Sequence, residues 1–120
     1  MIQVVFNEAS SSDLSVLPKL TQLEIVNEFQ SLVQNLENLD PDRFGRLTRE
    51  GQELYRFRTK EYRIYFEKTG DGVKIHRIIN KNSLKDFLFR SNLPTVEDEE
   101  LQKNPAFWEL IDQKKPNKLA

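Results

Sequence analysis

Closely spaced arginines are the residues of this sequence best suited to chemistry. Arg56, Arg58 and Arg63 lie in the stretch LYRFRTKEYRIYFEKTGDGVKIHRII, residues 54 to 79. A guanidinium group donates two parallel hydrogen bonds, which match the oxygens of a phosphate. The pattern therefore indicates an anion-binding surface. An ordinary solvated face is the alternative, because Lys and Arg are common on the wet side of antiparallel sheets.

A two-residue period predicts how these arginines are positioned. The runs ELYRFR and EYRIYFE alternate apolar and polar residues, and the apolar-rich run VKIHRII follows the turn TGDG. This order predicts a three-stranded antiparallel meander with one apolar face and one cationic face. The predicted apolar face holds Tyr55, Phe57, Tyr62, Ile64, Phe66, Val73 and Ile75, and the cationic face holds Arg56, Arg58, Arg63, Tyr65, Lys74 and His76.

The segment before the meander predicts one strand and two helices. Alternation over residues 2–6 predicts the strand, and a serine among residues 10–12 is expected to cap a brief helix that holds Leu14 and Leu17. Pro18 suits the first residue of a longer helix, which we expect to cover the apolar face and leave the cationic face uncovered. The apolar stripe of this helix comprises Leu20, Leu23, Val26, Phe29, Leu32, Val33 and Leu36.

The remaining segments predict a loop, short helices and a C-terminal extension. The loop LDPDRFGRLTREG carries a short strand at residues 46–49, and a short helix with Leu84, Phe87 and Leu88 ends at Pro94. Two further helices are expected around TVEDEE and NPAFWELI, and the last residues are expected to fray. The sequence thus predicts an α+β domain over residues 1–90, with a mostly antiparallel sheet and two helices on one face, followed by a helical extension over residues 91–120.

Composition excludes several classes of site and predicts the compartment. The 120 residues contain no cysteine, so a disulfide or a thiolate metal site is excluded. The acids of EDEE are adjacent and are not spaced for metal ligation, so neither a metal nor a cofactor is expected. No apolar run approaches the roughly 20 residues of a membrane span, and the first residues lack a basic leader. We expect a soluble, cytoplasmic protein that does not contact membranes.

Charge is distributed unevenly along the chain. The net charge of the whole sequence is -1, but residues 1–43 carry -5, residues 44–90 carry +6 and residues 91–120 carry -2. The meander and its flanks are therefore a basic island between acidic segments, which indicates a local site for a polyanion. Neutralisation of the island by the acidic ends is the alternative. In that case residues 97–100 would fold onto the cationic face as a built-in plug.

The sequence resembles a known family of toxins over about residues 2 to 90. A strand, ASxxDLxxLP, a long helix and a glycine precede LYRFRTKEYRIYFE, GDGVKIHRI and NKNSLKDF, and this order resembles the RelE/ParE superfamily of bacterial toxin-antitoxin pairs. The most specific piece is LYRFRTKEYRIYF. The resemblance implies a RelE-like translation inhibitor that cleaves mRNA on the ribosome without a metal, through attack of a 2'-hydroxyl on the adjacent phosphate. It also implies a cognate antitoxin as partner.

The resemblance also implies roles for individual residues. Arg63 falls on the arginine that contacts the scissile phosphate, Lys81 stands where RelE has a second catalytic arginine, and Phe87 stands where it has a catalytic tyrosine. Histidine side chains are suited to proton transfer, so His76, the sole histidine, is a candidate to take over the role of the lost hydroxyl group, as is Tyr65. The expected catalytic set is Arg58, Arg63, His76 and Lys81, and the expected RNA-binding set is Arg56, Arg58, Arg63, Lys74, Arg77, Lys81 and Lys85.

Two functional alternatives stay open at the level of sequence. The same scaffold serves different poisons, so a ParE-like gyrase inhibitor is one alternative. The other is a non-catalytic relative that binds RNA or protein, which the phenylalanine at position 87 favours.

Overall fold

The structure, a computed structural model, describes residues 3–33, 44–59, 61–83 and 94–112, with strands and helices that form the predicted α+β fold. Strands and helices are numbered separately in chain order. The strands are β1 (Gln3–Phe6), β2 (Phe44–Arg49), β3 (Gln52–Arg58), β4 (Tyr62–Lys68) and β5 (Gly72–Asn80), and the helices are α1 (Glu8–Ser15), α2 (Lys19–Val33), α3 (Pro94–Gln102) and α4 (Pro105–Asp112).

The five strands form one mixed sheet in the order β1-β5-β4-β3-β2. The predicted meander is confirmed, since β3, β4 and β5 pair antiparallel in sequence order. β2 adds an antiparallel strand at one edge and is longer than predicted, whereas β1 pairs parallel to β5 at the other edge. Gly51, with φ of 85°, occupies the turn between β2 and β3, where an L side chain would be strained.

The apolar face of the meander packs against α1 and α2, as predicted. All seven residues assigned to it from the period of two contribute to one core, together with Ile25 and Phe29 of α2. The Phe29 ring lies at the centre and makes edge contacts with Phe57 at 5.5 Å and Phe66 at 5.1 Å between ring centroids. Such aromatic pairs add to the free energy that area burial alone supplies.

Two predictions for the N-terminal helices are wrong. Leu20 and Leu23, assigned to the buried stripe of α2, are 69% and 59% exposed, and Ile25 points inward instead. The stripe follows Ile25 and Phe29, which are spaced by one helical turn. The expected serine cap is also wrong, because Asn7 caps α1 and its Oδ1 accepts a hydrogen bond from the Ser10 amide at 2.8 Å.

The cationic face is covered, which contradicts the expectation that it is open. α3 and α4 pack on it and form a second core between the helices and the sheet. This second core contains Leu47, Leu54, Tyr65, Ile79, Leu101, Phe107, Trp108 and Ile111. The sheet therefore has helices on both faces. The prediction failed because Leu47, Leu54 and Ile79 lie among the charged residues of this face and provide an apolar surface for α3 and α4.

Several expectations fall at the limits of the described residues. Pro94 was expected to end a helix, but it is the first residue of α3. The helix expected around Phe87 and the frayed tail lie outside the described residues, as does the boundary between domain and extension at residue 90. None of the helices in the described segments is both long and apolar enough to cross a membrane.

Candidate functional site

The cationic face is built from rows of side chains that cross the strands. In the middle row, Gly45 of β2 pairs with Arg56 of β3, Arg56 pairs with Tyr65 of β4, and Tyr65 pairs with Arg77 of β5. In the next row, towards the β3–β4 turn, Arg58 pairs with Arg63. The register thus brings four of the predicted cationic residues into two adjacent rows.

Arg56 is held by the chain itself. Its Nε donates to Asp98 Oδ1 at 3.0 Å and its Nη2 donates to Asp98 Oδ2 at 3.1 Å, so the carboxylate of α3 meets the guanidinium edge with both oxygens. Both residues are buried, and Arg56 is 2% exposed. Arg56 therefore does not meet solvent in this structure, although sequence reasoning placed it in the RNA-binding set.

Gly45 makes room for this ion pair. A Cβ at position 45 would collide with Asp98 Oδ2 and with Arg56 Nη2. The glycine of β2 thus leaves a notch on the cationic face, bounded by Arg56 and filled by the Asp98 carboxylate. A glycine within a strand often marks the close approach of another group, and here that group is an anion.

Arg77 is also held by a carboxylate of the chain. Asp13 of α1 accepts from Arg77 Nε at 2.8 Å and from Nη2 at 2.9 Å, and it accepts from the Ile78 amide at 2.9 Å. Arg77 Nη1 donates to the Leu110 carbonyl at 3.2 Å. These contacts join α1, β5 and α4, so they give Arg77 a structural role beside the RNA-binding role predicted for it.

A β-bulge places His76 away from the arginine pair. β4 and β5 change register between Tyr65 and Phe66, where His76 is the extra residue, and its Nε2 lies 2.9 Å from Glu67 Oε1. Glu67 is four residues from Arg63 along β4, which corresponds to about 14 Å of extended strand. The structure therefore does not bring His76 together with Arg58 and Arg63, the phosphate-binding candidates.

The remaining candidates gather at the end of the sheet next to the β3–β4 turn. Arg58 and Arg63 are half-buried cross-strand neighbours, and Arg63 Nη1 donates to the carbonyls of Thr59 and Tyr62 at 3.3 Å. Lys81 follows β5 at the same end, where its amide donates to the Glu61 carbonyl at 2.8 Å, and it is exposed. We call Arg58, Arg63 and Lys81 the sheet-end cluster.

Another candidate, Lys74, does not belong to this cluster. Lys74 is half-buried and pairs with Glu67 towards the opposite end of β5. Lys85 lies outside the described residues, as does Phe87.

Tyr65, a candidate for the lost hydroxyl, is 0% exposed and packs edge-on against Phe107 at 5.0 Å between ring centroids. Among the described residues, no group of three or more His, Cys, Asp or Glu side chains is arranged to hold a metal.

A second carboxylate clamp lies at the far side of the covered face and is exposed. Arg49 of β2 donates from Nη1 and Nη2 to Asp112 of α4 at 2.9 and 3.0 Å, and its guanidinium lies 4.3 Å from the centre of the Trp108 ring. The hydrogen bond from Arg49 lowers the pKa of Asp112, and the same hydrogen bond raises the pKa of Arg49. Both this pair and the Arg56–Asp98 pair are bidentate, but Arg49 uses Nη1 and Nη2 whereas Arg56 uses Nε and Nη2, and the two pairs differ in burial.

Sequence reasoning missed the residues that neutralise the arginines. Asp13 carried a signal only as the aspartate of ASxxDLxxLP, which indicated the family resemblance and not a partner for Arg77. Gly45 did carry a signal, because a glycine inside a strand often marks the close approach of another group. The signal was missed because the strand was predicted to begin at residue 46, whereas β2 begins at Phe44. Asp98 was part of the acidic segment expected as a plug, and the structure identifies it as the member of that segment that pairs with Arg56.

Comparisons with known proteins give matches of structure alone. No family model matches the chain, and no curated protein matches it. The toxin-antitoxin complex RelBE2 (Rv2865-2866) from Mycobacterium tuberculosis contains a similar chain, with a TM-score of 0.55 and 22% identity over 67% of this chain and 98% of that chain. The RelB-RelE antitoxin-toxin complex from Methanococcus jannaschii contains another, with a TM-score of 0.49 and 24% identity over 70% of this chain and 98% of that chain.

The Mycobacterium tuberculosis chain is matched over almost its full length, whereas a third of the present chain has no counterpart in it. The five-stranded mixed sheet and its helices therefore contain the complete core of that architecture, as the resemblance in sequence implied. The protein has the fold of the RelE-like toxins.

Proposed function

We propose that the protein is a RelE-like translation inhibitor that acts on mRNA at the ribosome and holds its phosphate backbone with the sheet-end cluster. The observation that carries this proposal is the cross-strand pair of Arg58 and Arg63. Like charges directly opposite each other on a sheet are destabilising, so an anion beside them lowers the free energy of the site. A phosphate diester is such an anion, and guanidinium groups match its geometry.

The proposed chemistry is cleavage of the mRNA by one of its own 2'-oxygens. The 2'-oxygen forms a bond to phosphorus, the bond from phosphorus to the 5'-oxygen breaks, and negative charge grows on the equatorial oxygens. Arg58 and Arg63 stabilise that charge, and Lys81 adds a third cation at the same end of the sheet. A base must take the 2'-proton and an acid must protonate the 5'-oxygen.

A second candidate function, binding of RNA without cleavage, is favoured by the position of the proton-transfer candidates. His76 pairs with Glu67 away from the arginine pair, and Tyr65 is buried under Phe107. His76 therefore does not reach a phosphate held between Arg58 and Arg63, and the Tyr65 side chain does not meet solvent. A protein of this kind would block translation by occupancy alone, which separates the two candidates by their effect on the RNA.

We further propose a cognate antitoxin as partner. The similar chain from Mycobacterium tuberculosis was solved in a toxin-antitoxin complex, and this chain shares its fold. A small protein encoded beside this one is expected to co-purify with it and to relieve the inhibition of translation.

The test compares substitutions in a cell-free translation reaction. Arg63→Gln and Arg58→Gln each remove one charge-assisted phosphate contact, so we expect inhibition to weaken by at least about tenfold. Arg46→Gln is the matched control, because Arg46 is an exposed arginine of β2 that pairs with Glu53 and lies outside the cluster. Primer extension on ribosome-bound mRNA then shows whether the RNA is cut.

Four results would contradict parts of this proposal. Full inhibition by Arg63→Gln would reject the site, and unimpaired translation with the unsubstituted protein would reject the function. Inhibition without new RNA ends would select the second candidate. Induction of the SOS response in cells that express the protein, without translation arrest, would indicate a gyrase inhibitor instead.

A further inference from the structure

We infer that Asp98 is an internal competitor of RNA: its carboxylate occupies a phosphate-binding notch formed by Arg56 and Gly45. This inference rests on the proposed function and concerns the regulation of the same surface. It extends the RNA-binding surface from the sheet-end cluster to the middle row of the sheet. It also gives the acidic segment of α3 a function.

The geometry of the notch is that of a bound anion. Asp98 presents both oxygens to the Nε and Nη2 edge of Arg56 at 3.0 and 3.1 Å. A phosphate diester offers two non-bridging oxygens to the same edge, so the carboxylate and the phosphate are alternatives for one position. Gly45 leaves the space that either anion needs.

The notch is continuous with the sheet-end cluster. Arg56 and Arg58 alternate with Phe57 on β3, so both point to the cationic face about 7 Å apart along the strand. Successive phosphates of an extended RNA strand are separated by a similar distance. Arg56 and the Arg58–Arg63 pair could therefore bind neighbouring phosphates of one strand once Asp98 moves away.

The contacts of α3 and α4 indicate which part of the cover can open. Leu101, Phe107, Trp108 and Ile111 are buried in the second core, so the end of α3 and all of α4 are held by apolar packing. Asp98 lies about one helical turn before Leu101, the residue of α3 in the second core, and its ion pair with Arg56 joins it to the sheet. Release of the first turns of α3 therefore breaks the Arg56–Asp98 ion pair and does not require Leu101, Phe107, Trp108 or Ile111 to leave the second core.

The experiment measures the affinity of the full chain for a short fluorescein-labelled single-stranded RNA by anisotropy. Asp98→Asn removes the competing charge and keeps the side-chain shape, so binding is expected to tighten about tenfold, the effect of one additional charge-assisted contact. Asp112→Asn is the matched control, because Asp112 also makes a bidentate pair with an arginine, through Nη1 and Nη2 of Arg49, away from the notch. It is expected to leave RNA affinity unchanged.

The gain must depend on Arg56. In an Arg56→Gln background, Asp98→Asn is expected to give no further tightening. Equal affinity of the Asp98→Asn variant, the Asp112→Asn variant and the unsubstituted protein would overturn the inference. If the Arg63→Gln variant binds the RNA more weakly than the unsubstituted protein in the same experiment, the proposed function stands even though the inference about Asp98 fails. Absence of any Arg63-dependent binding would reject the proposed function itself.

A second measurement needs no substitution and covers the case in which the Asp98→Asn variant does not fold. Hydrogen exchange of the full chain is followed with and without the RNA. Displacement of Asp98 is expected to speed exchange in the first turns of α3 and to leave α4 unchanged. Slower or equal exchange in α3 on addition of saturating RNA would overturn the inference.

Discussion

The two faces of the sheet are covered by helices in different ways. On the first face, α1 and α2 contact an unbroken apolar surface that includes Phe57, Ile64 and Phe66. On the second face, α3 and α4 contact an apolar patch around Leu54 and Tyr65, and beside it the covering is made by ion pairs. The first face is an apolar core. The second face combines an apolar core with arginines that are paired with carboxylates of the covering helices.

The difference shows how a cationic surface is made compatible with folding. A buried guanidinium is costly without a counter-charge, so each buried or half-buried arginine of the middle row has a carboxylate from a different helix. Asp98 of α3 serves Arg56 and Asp13 of α1 serves Arg77. The sheet-end cluster lies beyond this row, and it is there that we place the external phosphate.

The largest expected effect tests whether the second face is as much a core as the first. Phe57→Ala and Phe107→Ala each remove a fully buried ring, from the first and the second face respectively. We expect each to lower the free energy of unfolding by about 3–5 kcal/mol, the usual cost of such a cavity. Urea denaturation followed by circular dichroism measures both.

The control for this comparison is Leu23→Ala, which removes an exposed leucine of α2 and is expected to change stability by no more than about 0.5 kcal/mol. A cost below about 1 kcal/mol for Phe107→Ala would contradict an integral second core. So would a separate early transition in which α3 and α4 melt while the sheet persists.

A smaller effect separates structural arginines from RNA-binding ones. Asp13→Ala removes three charge-assisted hydrogen bonds to Arg77 and Ile78 and leaves a half-buried guanidinium without that partner. We expect a loss of about 2 kcal/mol in stability, within the range for hydrogen bonds to charged groups. Inhibition of translation by the folded fraction is expected to stay at the level of the unsubstituted protein.

Glu24→Ala is the control for Asp13→Ala, since Glu24 is an exposed acid on α2 and its loss should cost little. If Asp13→Ala weakened inhibition as strongly as Arg63→Gln while the protein remained folded, Arg77 would belong to the RNA site after all.

Most of the first face was predictable from sequence because its residues on β3, on β4 and up to Ile75 on β5 obey one period. The alternation of Tyr55, Phe57, Ile64 and Phe66 with polar residues assigns their direction without knowledge of the rest of the chain. The period does not continue after Ile75, because the bulge at His76 inserts a residue and returns Ile78 to the first core. A bulge of this kind has no sequence signal as strong as a period.

The second face was less predictable because its partners are distant in sequence. The Asp98–Arg56 pair joins residues 42 positions apart and the Asp13–Arg77 pair joins residues 64 apart. Net charge by segment indicated that acidic ends could neutralise the basic island, but it did not indicate which acid meets which arginine. Those pairings are set by the packing of whole helices, a tertiary effect that local patterns do not contain.

The smallest expected effect concerns the exposed clamp and its dependence on pH. The hydrogen bond from Arg49 lowers the pKa of Asp112 below its unfolded value of about 3.9. The stabilisation is therefore fully present above that value and is lost as the pH falls through the folded pKa. The side chain of Asp112 is 53% exposed and that of Arg49 is 31% exposed, so solvent screens the pair, and Asp112→Asn should cost no more than about 1 kcal/mol at neutral pH. Urea denaturation should show this difference shrinking as the pH is lowered towards about 3. A difference that stays constant across this range would mean that the charge of Asp112 contributes nothing, and that the clamp, unlike the buried Arg56–Asp98 pair, only fills space.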